Sequence, residues 1–327
     1  ILRGTEEAAT MDTAMPETMK AAAIDRFGGP EVFRVRSLSV PKPKPNQVLI
    51  RLDTAGIGVW DPEIRAGDFV LSKGFPQVIG NDGAGTVVAV GSRVRRFRAG
   101  DHVYAYTMKG GFYAEYVAVN QDEAAHIPPG VKRDEAGALG AVGITALAGL
   151  DGKLRIKRGQ RLMIIGASGG IGHIAVQLAK RLGAKVFAIA SGKDGVRLAR
   201  RLGADAVVDG REDDVTAAAA RFAPRGFDAA LVVTGGKEVN AALRAVKKGG
   251  RVAYPNGVEP EPRAPKGVKL IAFDGMPTRR AFDRLNAVIG RKRLHVELER
   301  TYSLGQAAAA HRDLGKHHVG KVAFRLH

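Results

Sequence analysis

Apolar and polar residues alternate along the second half of the chain in two distinct ways. Short continuous apolar runs predict buried strands, and apolar residues that recur every three or four positions predict amphipathic helices. The predicted strands are residues 162–165, 186–190, 206–209, 229–233, 252–254 and 268–273. Helices are predicted between most of these strands, at residues 171–182, 194–202, 215–222 and 238–246. This order of elements predicts an α/β fold with a doubly wound parallel sheet of six strands.

The first part of the chain contains shorter strand-like segments that glycine and proline residues separate. These strands are predicted at residues 21–25, 33–38, 48–55, 83–90, 102–106 and 114–119. Many short strands at this spacing are typical of a compact, barrel-like β domain. Two helices are predicted to follow, one at 134–139 with Asp134 as its N-cap, and one at 142–150 that has no polar face and should be buried.

The two ends of the chain differ from the segments beside them. Residues 1–18 are polar and show no periodicity, so they are predicted to be a disordered extension. The last segment breaks the strand–helix alternation, and its predicted elements are a helix at 278–291, a strand at 296–302, a helix at 304–314 and a strand at 321–326. We therefore predict a β domain at 19–139, a parallel-sheet domain at 140–276, and a return to the β domain at 277–327.

A glycine-rich turn joins the first strand of the alternating region to its first helix. Its residues are Ala167, Ser168, Gly169, Gly170, Ile171 and Gly172. This is the dinucleotide-binding pattern G-x-G-x-x-G with alanine in the first position, and a buried strand and an amphipathic helix flank it as that pattern requires. Glycine permits close approach of the pyrophosphate, whose charge the helix N-terminus stabilises. We predict that these six residues bind a dinucleotide, and the alternative is a turn that only packs the helix on the sheet.

Composition narrows the class of protein. The chain has 327 residues and no cysteine, which excludes disulfides and thiolate metal sites. No apolar run approaches the ~18 residues that a membrane span needs, and no signal-peptide pattern is present, so a cytoplasmic location is expected. The net charge of +18 favours anionic ligands, either a phosphorylated cofactor or nucleic acid. Because the charges are spread along the chain, nucleic-acid binding is the weaker alternative.

The residues after the second predicted strand of the alternating region indicate which dinucleotide binds. An NAD site normally has a carboxylate there for the ribose 2′-hydroxyl, but this chain has Ser191 and Lys193 around a glycine. Ser191 can donate to a 2′-phosphate and Lys193 can neutralise it, with Arg197 one helical turn away and Arg211 after the third strand. We therefore predict NADPH rather than NADH as the cofactor. The alternative is that Lys193 is a solvated loop lysine.

The order of several sequence blocks resembles the medium-chain dehydrogenase/reductase superfamily, and within it the zinc-independent quinone oxidoreductase branch. The blocks are residues 55–57 followed by Asp61 and residues 64–65, residues 80–87 followed by 90–91, residues 112–116 and 143–146, the glycine-rich turn, and residues 319–322. The resemblance implies a GroES-like catalytic domain, a Rossmann domain and a homodimer. A short-chain dehydrogenase uses a similar turn with a Tyr-x-x-x-Lys pair, but no tyrosine of this chain has lysine four residues later.

The resemblance also implies which residues surround the nicotinamide. Thr145 should face the nicotinamide from the buried helix. The ends of three later strands should line its other sides, through Val233, Thr234, Asn256, Ala272 and Phe273.

Four residues of the β domain are candidates for the substrate pocket. Trp60 either stacks on an aromatic substrate or packs in the core, and Asp61 is either a structural cap or a catalytic group. Asn81 and Asp82 are candidates for hydrogen bonds to substrate. Asn81 stands where zinc-dependent relatives have a histidine ligand, and asparagine is a poor zinc ligand, so no metal is predicted.

Without a metal to polarise a carbonyl, an acceptor that is already electrophilic fits best. The sequence therefore predicts an NADPH-dependent, zinc-independent oxidoreductase that reduces a small-molecule quinone, with no assigned proton donor. The alternative is a reductase of alkenals and enones. A zinc-type alcohol dehydrogenase and a nucleic-acid-binding protein are weaker alternatives.

Overall fold

Three β-sheets organise the part of the chain that the computed structural model describes, which is residues 15–70, 74–236 and 238–326. Most of the predicted extension, residues 1–14, lies outside the described residues. The predicted end of that extension is one residue too late, because Thr18 already pairs with Ser39 in the first strand.

The first two sheets contain the six predicted short strands of the β domain and two short strands that were not predicted, at Gln77–Val78 and Ala124–His126. These strands are β1 (Thr18–Ile24), β2 (Phe33–Ser39), β3 (Gln47–Gly56), β4 (Gln77–Val78), β5 (Asp82–Val90), β6 (His102–Tyr106), β7 (Tyr116–Asn120) and β8 (Ala124–His126). Two short helices, α1 (Asp61–Ala66) and α2 (Arg133–Ala136), lie between and after them. β1 pairs with β2 and β4, while β3, β5, β6 and β8 are neighbours in a larger sheet in which β7 also pairs with β3.

The third sheet is parallel throughout and has the six strands predicted for it. Helix α3 (Gly140–Leu147) precedes it, and its elements are β9 (Arg161–Ile165), α4 (Gly170–Arg181), β10 (Lys185–Ala190), α5 (Gly192–Arg201), β11 (Ala206–Asp209), α6 (Val215–Phe222), β12 (Phe227–Val232), α7 (Val239–Leu243), β13 (Val246–Pro255) and β14 (Lys269–Phe273). The strand order β11-β10-β9-β12-β13-β14 reverses next to β9. The doubly wound fold is confirmed, and the reversal is the point at which such sheets bind ligands.

The C-terminal segment crosses back to the larger sheet of the β domain. Its elements are α8 (Arg279–Ile289), β15 (Leu298–Tyr302), α9 (Ala307–Asp313) and β16 (Lys321–Arg325). β16 pairs antiparallel with β3 and parallel with β15. This crossing places the start of β16 beside the glycine-rich turn, since the Gly320 amide donates to the Ser168 carbonyl at 2.7 Å.

Three helix predictions are wrong in detail. Asp134 is not an N-cap: Lys132 holds that position with an extended backbone, and Asp134 lies in the first turn of α2. The predicted helix at 238–246 is shorter because Val246 already pairs with Phe227 as a strand residue. The helix predicted at 142–150 begins at Gly140 and changes to a π-helical turn at Ala148–Lys153. All eight residues of α3 are buried, as its lack of a polar face predicted.

The hydrophobic cores of the two domains meet at Trp60, which packs against the apolar clusters of both. The largest cluster joins α3, α4 and β9 to Tyr104 and Tyr106 of β6, so the packing is continuous across the domain boundary. Among the described residues, no helix has the length and apolar character needed to cross a membrane.

Candidate active site

The glycine-rich turn lies between β9 and α4 and is shaped by close packing. A Cβ atom on Gly172 would overlap the carbonyl oxygen of Gly166, so only glycine fits there. A Cβ on Gly169 would instead have no neighbour nearer than 3.6 Å, the same Gly166 oxygen. The first amides of α4 have no acceptor one turn earlier in the helix, so they can bind an anion. The turn therefore fits the pyrophosphate of a dinucleotide.

The predicted ribose site lies at the C-terminal end of β10. Ser191 precedes α5, and its Oγ atom is buried without a hydrogen-bond partner among the described residues. The predicted cations Lys193, Arg197 and Arg211 are exposed, and none forms an ion pair with a described residue. Arg211 also lines a cavity of ≈ 520 Å³ beside the end of β11. This end of the site is polar and open, and it carries carboxylates as well as cations, since Asp213, Asp214 and Glu238 line the same cavity.

A second pair of polar residues at the ribose site, Asp194 and His317, was not among the predicted site residues. Asp194, in the first turn of α5, has both carboxylate oxygens within 3.1 Å of His317 Nε2. Its Oδ1 atom also accepts from the Gly195 amide at 2.8 Å. Burial tends to raise the pKa of Asp194, but these hydrogen bonds and His317 outweigh it and leave the pKa below its usual value. The carboxylate is therefore ionised and already has partners.

The residues predicted to surround the nicotinamide lie at the carboxyl ends of β12, β13 and β14 and on α3. A Cβ on Gly275 would overlap Thr145 Oγ1, so the chain after β14 packs directly on Thr145. The backbone N–H of Asn256 donates to the Phe273 carbonyl at 2.9 Å, which joins β13 to β14. Phe273 and Ala272 end β14. These residues therefore lie together with Thr145.

The remaining two predicted nicotinamide residues lie nearer the glycine-rich turn. Val233 donates through its amide to the Ile165 carbonyl at 3.0 Å, and a Cβ on Gly166 would lie 2.9 Å from Thr234 Cγ2. These contacts place the end of β12 against the start of the turn.

Asp61 is the final acceptor in a chain of buried hydrogen bonds that runs from Arg65 through His311 and Tyr113. Its Oδ2 atom accepts from Tyr113 Oη at 2.6 Å and from the Gly58 amide at 2.7 Å. Tyr113 Oη is 3.2 Å from His311 Nε2, and His311 Nδ1 is 3.0 Å from Arg65 Nη1. Because a guanidinium only donates, Nδ1 accepts and Nε2 carries the proton that faces Tyr113. The hydroxyl proton of Tyr113 is thereby directed at Asp61.

Burial also shifts the pKa of two members of this hydrogen-bond chain, Asp61 and His311. Burial raises the pKa of Asp61 from 3.8 to about 6, although Tyr113 and other partners oppose the shift. Burial and the nearby Arg65 lower the pKa of His311 to about 3, so the imidazole is neutral at pH 7. Oδ1 of Asp61 has no partner among the described residues, and a Cβ on Gly58 would lie 3.0 Å from it. A proton on Asp61 would therefore reside on Oδ1.

Lys321, the first residue of β16, is a buried cation between the two domains. Its Nζ atom donates to the Ile57 carbonyl at 2.6 Å, and a Cβ on Gly170 would lie 3.0 Å from its Cδ. Burial raises the pKa of Asp61 and Asp82, and the charge of Lys321 opposes that shift in both. A cation at the N-terminus of α4 is disfavoured by the helix dipole, so an anion bound there would stabilise it.

Asn81 and Asp82 are buried at the start of β5. Asp82 Oδ2 accepts from the Ala141 amide at 3.0 Å, one turn before Thr145 on α3. Asn81 Nδ2 donates to the Thr107 carbonyl at 2.7 Å, and its Oδ1 has no partner among the described residues. Asp82 therefore positions α3, whereas Asn81 retains a free acceptor.

The residues present do not fit a catalytic zinc ion. The chain has no cysteine, and the Asn81 amide nitrogen is already donating to backbone. Within the described ranges, no group of three or more histidine, aspartate or glutamate side chains could hold a metal.

Arg65, Tyr113, Asp194, His311 and His317 were not predicted as site residues, and Lys321 was given no role. Arg65, Tyr113 and Lys321 were noticed only as parts of the resembled blocks. Lys321 carries the one signal that could have been used, since it follows Gly320 in a segment predicted to return to the β domain. The other partners are far apart in sequence, as Arg65 and His311 are, and no periodicity reports such a contact.

Comparison with known proteins agrees with this architecture. Residues 44–129 match the alcohol dehydrogenase GroES-like domain family, and residues 170–280 match the family described as zinc-binding dehydrogenase. A quinone oxidoreductase from Sus scrofa is 31% identical over 309 residues, which cover 90% of this chain and 94% of that protein.

Two solved structures extend the comparison to the fold. An alcohol dehydrogenase superfamily protein from Novosphingobium aromaticivorans has a TM-score of 0.84 and 32% identity, with 95% of this chain and 100% of that chain covered. A mycobacterial protein solved in complex with NADPH has a TM-score of 0.79 and 26% identity, with 94% and 99% covered. This chain is therefore an oxidoreductase that belongs to the medium-chain dehydrogenase/reductase superfamily, in its quinone oxidoreductase branch.

Proposed function

We propose that this chain is an NADPH-dependent, zinc-independent reductase of quinones. The observation that carries the proposal is the ribose site, where the unpartnered Oγ of Ser191 lies beside cations that have no ion pair among the described residues. A 2′-phosphate would satisfy both, whereas an NAD site needs a free carboxylate, and Asp194 is already paired. The NADPH complex of the mycobacterial relative supports the same cofactor.

Two separate groups of residues would bind the pyrophosphate and the 2′-phosphate of the cofactor. The first amides of α4 and the ammonium of Lys321 would hold the pyrophosphate, and Ser191 with Lys193 would hold the 2′-phosphate. Thr145, with Gly275 packed on it, would orient the nicotinamide. When bound, NADPH supplies a hydride from C4 of its nicotinamide.

On the substrate side, the protein's role is to stack, exclude water and supply a proton. Trp60 lies between the two cores and can stack on a flat ring. Asp61 holds a proton on Oδ1 below a pKa of about 6, in a fully buried position next to Trp60. Such a carboxylic acid can protonate the oxygen of a quinone as it gains negative charge.

Steady-state kinetics test the proposal directly. We expect kcat/KM with NADPH to exceed that with NADH at saturating 1,4-benzoquinone, and Lys193→Ala to reduce that preference. A parallel panel of alkenals and enones tests the alternative substrate class. Equal kcat/KM for the two cofactors would refute NADPH specificity, and turnover of enones but not quinones would replace the proposed substrate. Metal analysis of the active protein tests zinc independence.

We further propose a cytoplasmic homodimer. The outer edge of β14 supports the dimer, because β14 pairs only with β13 among the described strands and Leu270 on it is exposed. A free edge strand can pair with a second copy. Sedimentation velocity should give a mass near twice 34.6 kDa.

A further inference from the structure

The loop between α9 and β16 runs along the predicted cofactor site from one charged region to the other. At one end, Lys321 lies against Gly170 of the glycine-rich turn. In the middle, the Gly320 amide donates to the Ser168 carbonyl at 2.7 Å, which anchors the loop to that turn. At the other end, a Cβ on Gly192 would lie 3.5 Å from the His317 ring. This loop comes from the C-terminal segment, yet it borders the ribose site.

His317 brings an imidazole to the residue between Ser191 and Lys193. Its Nε2 atom is 3.0 Å from Asp194 Oδ2, and its Nδ1 atom makes no hydrogen bond with any described residue. Side chains of His317 and Asp194 are 42% and 41% exposed, so a ligand can reach both. The Cε1–Nε2 edge of the ring therefore faces Gly192. Because Nε2 donates to the Asp194 carboxylate, Nδ1 can donate to a phosphate only when both ring nitrogens carry a proton.

His317 and Asp194 should have opposite effects on the affinity for a 2′-phosphate. Protonated His317 attracts the phosphate, whereas the Asp194 carboxylate repels it and competes for the same imidazole. The cofactor without the 2′-phosphate has no charge at this position, so neither effect should apply to it. Among the charged groups near His317 in the described residues, Asp194 contacts it directly. Lys316, which pairs with Asp313, and His318 flank it in sequence, and Lys193 precedes Asp194 on α5.

We propose that His317 is a specificity-determining residue that recognises the 2′-phosphate of NADPH, and that Asp194 limits this recognition. The inference rests on the proposed use of NADPH. It assigns part of the cofactor preference to the C-terminal segment, outside the strand–turn–helix unit that the sequence analysis used to predict the cofactor.

Calorimetric binding of NADP⁺ and NAD⁺ to the full-length protein at pH 6.5 tests the proposal without turnover. The measured quantity is the ratio of the Kd for NAD⁺ to the Kd for NADP⁺. We expect His317→Gln to lower this ratio by about threefold to tenfold, because an exposed charged contact is modest in strength. We expect Asp194→Asn to raise it by a similar factor. The asparagine side chain in that variant would retain an acceptor for the Gly195 amide, so α5 should stay intact.

His318→Gln is the matched control, because His318 bonds only to the Lys316 carbonyl among the described residues and should leave the ratio unchanged. A wild-type ratio well above one that His317→Gln leaves unchanged would overturn this inference alone. A wild-type ratio of one or less would overturn the proposed cofactor and this inference together.

Discussion

Burial controls the titration of single residues around the glycine-rich turn. His173 on α4 is fully buried, and its Nδ1 lies 3.0 Å from the Gly169 carbonyl while the Glu297 amide donates to its Nε2 at 3.2 Å. A carbonyl only accepts and an amide only donates, so the ring is neutral with its proton on Nδ1. A second proton would have to bind Nε2, where it would clash with the Glu297 N–H that already donates to that atom.

This arrangement predicts loss of stability in mild acid. Burial lowers the pKa of His173 from 6.5 to about 4, so between these values the unfolded chain binds more protons than the folded one. Stability should therefore fall by up to about 3 kcal/mol as the pH drops from 6.5 to 4. Urea unfolding of His173→Asn across this range should show a shallower fall, although His311 contributes a similar loss. His318→Asn, at a half-buried site whose imidazole bonds only to the Lys316 carbonyl among the described residues, should behave like wild type. An unchanged slope in His173→Asn would contradict the account.

Asp61 gives a second prediction, which concerns the pH dependence of catalysis. If its Oδ1 proton is used, kcat for a neutral quinone should decline as the pH rises through about 6, and Asp61→Asn should remove that step. Tyr113→Phe removes a hydrogen bond that lowers the pKa of Asp61, so the midpoint should move to higher pH. Tyr104→Phe is the control, since its hydroxyl donates to Asn286 instead. A midpoint that does not move in Tyr113→Phe would show that Asp61 does not govern the profile.

At the scale of elements, two glycines at the junction of β9 and α4 have different roles: Gly172 permits close packing, and Gly169 leaves room for the cofactor. A methyl group on Gly172 would overlap the Gly166 carbonyl, whereas one on Gly169 would make only an ordinary contact with the same oxygen, at 3.6 Å. We expect Gly172→Ala to destabilise the protein by about 1–3 kcal/mol, the usual range for overpacking. Gly169→Ala should leave thermal stability almost unchanged but weaken NADPH binding by at least tenfold. Differential scanning fluorimetry and calorimetry measure the two effects, and equal stability of the two variants would refute this division.

Elements with strong local patterns could be predicted closely from the sequence. Helix α6 has the predicted bounds, residues 215–222, because its N-cap Asp214 and its apolar spacing are both local signals. The helix predicted at 238–246 was too long because the sheet takes Val246 into β13, and a nonlocal pairing overrode local preference. Asp134 has the chemistry of an N-cap, but the backbone turns into α2 two residues earlier.

At the scale of the whole molecule, the site depends on contacts that no local pattern records. The turn from Ala167 to Gly172 could be predicted because strand, turn and helix are consecutive. Lys321 reaches that turn, and His317 reaches the ribose site at Gly192, only because β16 crosses to pair with β3. The sequence therefore indicated the cofactor more clearly than the full set of groups that surround it.

The net charge of +18 also acts at this scale. Such a field concentrates anions near the surface and accelerates their association, and salt screens it within about 8–10 Å. NADPH is highly anionic, while a simple quinone is uncharged. The field should therefore favour the cofactor and leave substrate binding alone. The same field makes weak, salt-sensitive attraction to nucleic acid possible without any specific function.

Ionic strength should therefore affect the two reactants differently. Between about 20 and 300 mM NaCl, we expect KM for NADPH to rise by about fivefold as the field is screened, while KM for 1,4-benzoquinone changes by less than about twofold. Each KM is measured with the other reactant saturating, so the enzyme is its own control. A filter-binding titration with duplex DNA over the same salt range should show retention only at the low end. Equal salt dependence of both KM values would mean that the basic charge does not guide the cofactor. DNA binding that persisted near 150 mM would instead point to nucleic acid as a ligand for the basic surface.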